Sequence, residues 1–229
     1  MAKIFLSVPV GTRPELGFMH GLNLAIANSK HDIRLNWMEG HPVITSARNT
    51  MISQYINDFV DYDYYMTLDD DLFIVNYMQD NNIFDKLVDM NEEFCGAVYA
   101  CRNDAPWSCA TFFRDGEDVA YNTGYKRVRW LTGGCQLITR NAILTMVREY
   151  PDLKFIGNVT TNGKPIYALY NPIAVCMDDG RKCIYEDYAI CERWNQLGGD
   201  IKIDTSIVLG HSSKQIKWLW EEAVCQCNR

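Results

Sequence analysis

The sequence predicts an α/β protein built on a mostly parallel sheet flanked by helices. Over the first hundred residues, apolar runs and amphipathic runs alternate as strand, helix, strand, helix, strand, helix, strand. Such alternation is the pattern of a parallel sheet covered on both faces. The third strand ends abruptly in Asp69-Asp70-Asp71, and open α/β sheets bind ligands at the carboxyl ends of their strands. The chain has 229 residues, 48% hydrophobic and 22% charged, enough for one sizeable α/β domain of ordinary composition.

The elements follow in order. Lys3 to Val10 is nearly all apolar, as a buried parallel strand must be. Gly11-Thr12-Arg13-Pro14 turns the chain, and Pro14 suits the first turn of a helix over Glu15 to Ser29. Asp32 to Met38 reads as the second strand. Thr45 or Ser46 is placed to cap a helix running to about Phe59, with Ile52, Tyr55, Ile56 and Phe59 on its buried side. Asp63 to Leu68 is the strand that ends in the acidic cluster. A helix is expected from about Met78 to Asn91, then a strand from Glu93 to Ala100.

The second half is less regular. Ser108 to Phe113 and Val128 to Trp130 read as short strands. Gly133-Gly134 precedes an apolar strand ending near Thr139, and Asn141 is placed to cap a helix that stops near Tyr150. Residues 152–183 carry turn formers and read as loop with strand fragments; loops this long inside a domain are usually functional. Glu186 to Leu197 is a helix closed by Gly198-Gly199. Ile201 to Asp204 and Ile207 to Leu209 are strands, and Lys214 to Val224 a final helix. Trp218 and Trp220 on it are two apart and cannot share a face.

Net charge is −7, which argues against a broad electrostatic grip on nucleic acid. Met1 to Val10 is too short for a signal peptide, and no apolar run has the length of a bilayer span. Nine cysteines (Cys95, Cys101, Cys109, Cys135, Cys176, Cys183, Cys191, Cys225, Cys227) include no CxxC pair, so a zinc cluster has little support. Their apolar or helical settings suit free thiols. A reducing, cytoplasmic compartment is expected, with the Asn158 sequon incidental.

Three adjacent carboxylates repel one another unless a cation neutralises them. The fitting cations are Mn²⁺ or Mg²⁺, which take oxygen ligands and leave positions for phosphates. Three further features accompany the cluster: the Gly133-Gly134 pair, whose backbone allows close approach of a substrate; Glu186-Asp187 at a helix start, where the dipole favours carboxylates; and His211 after a strand and Gly210.

In this order the features resemble the GT-A glycosyltransferases, which transfer a sugar from a nucleotide sugar. Ser46-Ala47-Arg48-Asn49, the run Tyr185 to Cys191, and the tail from Gly199 to His211 are similar to small stand-alone members of the family-two-like group, common in bacteria, phages and large viruses. The resemblance covers about residues 3 to 211. It implies a Rossmann-like GT-A fold with a smaller mixed sheet on the acceptor side. A single domain is expected, with a nucleotide-binding half (residues 1–100) and an acceptor-binding, catalytic half (residues 101–229).

By the same resemblance, Asp69, Asp71 and His211 hold Mn²⁺ (or Mg²⁺). Asp187 is the general base of an inverting reaction, assisted by Glu186. The donor, a UDP-sugar by preference, meets Val8, Pro9, Thr12, Arg13, Glu39, Arg48, Asp69 and Asp70. Trp107, Trp130, Gly133 and Gly134 meet the acceptor sugar, since aromatic faces stack on rings. The acceptor is a glycan or small-molecule hydroxyl. A phage-type enzyme acting on a hydroxymethylated DNA base is the alternative, with Lys126, Arg127 and Arg129 as its phosphate-contacting edge. A non-catalytic carbohydrate- or nucleotide-binding domain is the alternative of another class.

Overall fold

The computed structural model describes residues 1–100, 122–157, 162–177 and 180–212, with the backbone alone at 112–113 and 217–218. The first half runs β1 (Lys3–Val10), α1 (Leu16–Asn28), β2 (Asp32–Glu39), α2 (Ile44–Asp58), β3 (Tyr64–Leu68), β4 (Leu72–Ile74), β5 (Tyr77–Met78), β6 (Asn81–Asn82), α3 (Ile83–Asp89) and β7 (Phe94–Gly96). The second runs β8 (Phe112–Phe113), β9 (Tyr125–Trp130), β10 (Cys135–Thr139), α4 (Arg140–Glu149), β11 (Lys154–Phe155), β12 (Ile166–Tyr167), β13 (Ile173–Met177), β14 (Gly180–Ile184), α5 (Glu186–Gln196), β15 (Ile201–Asp204), β16 (Leu209–His211) and β17 (Lys217–Trp218).

The main sheet has eight strands in the order β2-β1-β3-β10-β7-β15-β9-β8. Only β10 and β9 run against the others, so the sheet is mostly parallel and draws strands from both halves of the chain. Alternation along each strand divides the core. Ile4, Leu6, Val8, Met66, Leu68 and Leu137 pack with Phe18 and Leu22 of α1 and with Phe84 and Leu87 of α3. Phe5, Tyr65 and Ile138 face the other way, toward α2, α4 and α5. The three-layer arrangement, a mostly parallel sheet flanked by helices, is consistent with the expected Rossmann-like fold. No helix among the described residues is long and apolar enough to cross a membrane.

A second, three-stranded sheet (β17-β16-β4) starts directly after the acidic cluster. Its three strands pair antiparallel, and a parallel bridge from Tyr99 to Leu209 adds the mixed character expected of it. Strand pairing at β7 ends at Gly96, where a side chain would meet the Cys135 carbonyl. The chain then leaves toward the small sheet, with Tyr99 bridging Leu209.

Four local expectations differ. The helix over residues 78–91 is only α3, because two asparagines divert the chain. Asn76 donates to the Asn81 side chain and accepts from the Ile83 and Val208 amides. Asn82 caps α3 by accepting from Phe84 N and donates to Ala25 O. Helix α2 starts at Val43 with no side-chain cap, and Ser46 meets His41 instead. Thr139, not Asn141, caps α4; Asn141 donates to Glu93. Residues 217–218 are extended, because their backbone pairs with β16, and the rest of the expected last helix lies outside the described residues.

Phe5 is fully buried, with its ring 4.3 Å from that of Phe59. Phe5→Ala is expected to cost about 3–5 kcal/mol, read as a lower urea midpoint at unchanged m-value.

Candidate active site

The acidic turn is pinned through its backbone from three directions. Asp69 N donates to Gly134 O (3.1 Å), Asp70 O accepts from Glu15 N (3.2 Å) and Asp71 O accepts from Ser212 N (2.8 Å). The glycine loop, the entry to α1 and the segment after His211 therefore all converge on the end of β3. Pairing of β4 with β16 sets His211 opposite Leu72, which brings the imidazole beside Asp71.

His211 Nδ1 lies 2.8 Å from the Ala100 carbonyl. A carbonyl only accepts, so Nδ1 carries a proton; in the neutral ring that leaves a lone pair at Nε2. Nε2 faces Asp71 Oδ2 at 3.5 Å. Tyr99 meets the imidazole edge-on, with centroids 5.1 Å apart. Its hydroxyl accepts from Gly134 N at 3.0 Å.

Asp187 sits in the first turn of α5, where helix amides and dipole favour an anion. One carboxylate oxygen accepts from Gly133 N (3.1 Å) and the other from Tyr188 N (2.8 Å). Burial raises its pKa above the ordinary 3.8, and Arg48 opposes that rise. Arg48 projects from α2 into the same space, its side chain only 4% exposed. It donates to Asp69 Oδ1 at 2.9 Å and stands 3.8 Å from Glu186. Burial works against its charge, but Asp69, Asp187 and Glu186 outweigh it and hold the pKa above its usual value.

Arg48, Asp69, Asp70, Asp71, Glu186 and Asp187 line one cavity of about 480 Å³ together with Pro9, Val10, Met38, His41, Pro42 and Ile44; His211 is not among its lining residues. Its lining combines apolar side chains with a few charged ones, as small-molecule sites do. Among the described residues, no group of three or more His, Cys, Asp or Glu side chains is arranged to hold a metal ion. Asp71 and His211 form a facing pair, and Asp69 is turned to Arg48.

The structure thus gathers Pro9, Arg48, the three aspartates, Glu186 and Asp187 around one space, with Gly133 and Gly134 packed behind it. Val8 is fully buried in the core. Thr12, Arg13 and Glu39 are exposed and do not line the cavity. Trp130 is core: its indole N–H donates to the buried Glu192 at 2.7 Å, and its ring stacks on Tyr188. Trp107 lies outside the described residues. Arg127 and Arg129 of the basic edge are met by Asp200 and Glu192. Met38, His41, Pro42, Ile44 and Ala47 also line the cavity; they follow the end of β2, where the sequence points to Glu39, and strand-end position is the signal that marks them.

No protein-family model matches this chain, and no curated protein does. Solved structures do. Protein A197 from STIV is 13% identical with a TM-score of 0.55, covering 93% of this chain and 86% of its own. A glycosyltransferase involved in glycosylation of the major capsid of PBCV-1 is 13% identical over 64% of this chain and 66% of its own, with a TM-score of 0.34. A nucleoside-diphosphate-sugar pyrophosphorylase from Vibrio cholerae RC9 is 10% identical over 97% of this chain and 98% of its own, with a TM-score of 0.45. The first likeness supports the fold; the other two overlap too loosely to bear on it.

A side chain on Gly133 would lie 1.6 Å from Arg48 Nη1. Gly133→Ala therefore forces a buried guanidinium to move and is expected to cost about 1–3 kcal/mol, read as a drop in melting temperature.

Proposed function

We propose that this protein is a metal-dependent glycosyltransferase that moves a sugar from a nucleotide sugar, a UDP-sugar by preference, to a hydroxyl acceptor with inversion. One observation carries the reading. The carboxylates at the end of β3 and the acid pair opening α5 line the same cavity at the carboxyl ends of parallel strands. Their sharing of one cavity supports a reading in which one group neutralises a diphosphate and the other deprotonates an acceptor.

The steps assigned to the chain's residues are these. Val10, Met38, Pro42 and Ile44 exclude water along one wall and receive the donor's apolar ring faces. Asp187 accepts the proton of the acceptor hydroxyl while that oxygen bonds to the anomeric carbon. The bond from that carbon to the diphosphate oxygen breaks, and its electron pair leaves with the nucleoside diphosphate. The two backbone N–H groups on Asp187 hold its carboxylate in orientation, and each oxygen keeps a second lone pair. Glu186 adds negative charge beside the attacking hydroxyl.

Asp71 and His211 fit a divalent cation. Nδ1 is tied to a backbone carbonyl and Nε2 faces a carboxylate, which is how metal-binding histidines are oriented. One or two protein groups suffice when substrate phosphates complete the shell. Mn²⁺ or Mg²⁺ held there would neutralise charge on the leaving diphosphate.

Thermal-shift measurement with nucleotide sugars and nucleoside diphosphates, each with and without Mn²⁺, is expected to give a Mn²⁺-dependent rise with one nucleotide. Asp71→Ala should abolish that dependence in a folded protein; full metal-dependent turnover by this variant refutes the site. A further test follows from burial of Asp187. Its raised pKa makes the base protonated over more of the acid range, so the acid limb of kcat/KM should fall above pH 3.8. The stability sign is opposite to that of a salt-bridged carboxylate. Ionising Asp187 costs folding free energy, absent below 3.8, growing between 3.8 and the raised folded value, and constant above it. Asp187→Asn should lower kcat by about 10²–10⁴ and remove that acid limb.

A further inference from the structure

The strand-end aspartates do not share one environment. Asp71 faces His211 Nε2. Asp69, although 28% exposed against 16% for Asp71, is tied to protein groups: Oδ1 accepts from Arg48 Nη2 at 2.9 Å, and Oδ2 lies so close to the glycine loop that a side chain on Gly134 would approach it to 3.0 Å. Arg48 in turn is committed to this place. It is buried, and neither its Nε nor its Nη1 makes a hydrogen bond among the described residues, so Asp69 is its hydrogen-bonded partner there. Glu186 draws it by charge, and Tyr170 lies under the guanidinium at 5.9 Å. Gly133 leaves the space it occupies. A buried arginine stripped of its counter-charge is strongly unfavourable, so the pair holds together when a cation arrives.

From this geometry we propose that Arg48 is a positioning residue that reserves Asp69 as an anchor between the strand end and the Glu186–Asp187 pair, leaving the divalent cation to Asp71 and His211. The inference rests on the metal half of the proposed function. It assigns unlike tasks to two carboxylates that the sequence alone makes equivalent, and it explains why the loop facing Arg48 carries glycine.

The test measures Mn²⁺ alone binding to the full-length protein, by the electron paramagnetic resonance signal of the free ion. Removing the pair as a neutral unit, Arg48→Met with Asp69→Asn, leaves the net charge of the site unchanged and is expected to leave the affinity within about threefold of the wild type. Asp71→Asn should weaken it by about tenfold or more, as loss of a ligand does. Arg48→Met alone should strengthen binding severalfold, because it frees Asp69 and removes a positive charge. Weakening by the double variant as large as that of Asp71→Asn overturns the proposal. If the double variant lacks the wild-type far-UV spectrum, Asp69→Asn alone decides: a loss of a few-fold supports the proposal, and one matching Asp71→Asn overturns it. A wild type that binds Mn²⁺ neither alone nor with a nucleoside diphosphate present overturns it too. The nucleotide thermal shifts without metal judge the donor-site reading separately.

Discussion

Like charges brought to one sheet edge repel, and the architecture around the cavity answers that repulsion. Asp69, Asp70, Asp71, Glu186 and Asp187 converge on one space with Arg48 among them. A solvated guanidinium would screen them weakly, whereas a buried one acts through a medium that screens less. Backbone dipoles do the rest: the glycine loop and the first turn of α5 each offer one amide to Asp187, from Gly133 and Tyr188, and such groups stabilise an anion without adding a mobile charge.

That electrostatic arrangement needs a rigid frame, and a short buried segment helps to supply it. The Asn49 side chain accepts from Tyr170 N and donates to Asn171, each at 2.9 Å. Arg193 of α5 donates to Leu169 O at 2.8 Å. Residues 169–171 thus tie α2, which carries Arg48, to α5, which carries Asp187. The Gln136 side-chain amide donates to Leu131 O and stands 3.4 Å from Asp187 O, linking the glycine loop to the same frame. Satisfied buried polar networks of this kind fix one arrangement of a core.

Much of this was legible from the residues. The first three strands announce themselves by apolar runs, and β1 and β2 keep nearly the bounds expected of them. The acidic turn and the acid pair stand out because strand ends and helix starts are where carboxylates acquire chemical meaning. Other features were hidden by distance along the chain. Nothing near Arg48 in the sequence shows that its partner is Asp69, or that it is buried, since arginines are mostly exposed. Residues 78–82 read as helical because the pattern is locally compatible; the deciding contacts come from Asn76 and Asn82 reaching Val208 and Ala25. The extended backbone at 217–218 likewise reflects a free strand edge at β16, which local propensity does not encode. Trp130 shows the converse error: an aromatic residue beside a glycine loop suits sugar stacking, yet Glu192 satisfies its indole inside the core.

The strand order has a consequence for how the molecule comes into being. In the main sheet β10 lies between β3 and β7, and β15 is the next neighbour of β7. The first three strands can pair among themselves as they leave the ribosome, but β7 stays without either neighbour until residues beyond 135 and then beyond 201 have been made. Such non-local pairing closes late and slowly. Arg48 and the three aspartates are synthesised long before Glu186 and Asp187, so one counter-charge and its first partners meet early. The remaining repulsion enters only when most of the hydrophobic core is available to offset it. For a growing chain, this order keeps the costliest electrostatic assembly for the final stage of folding.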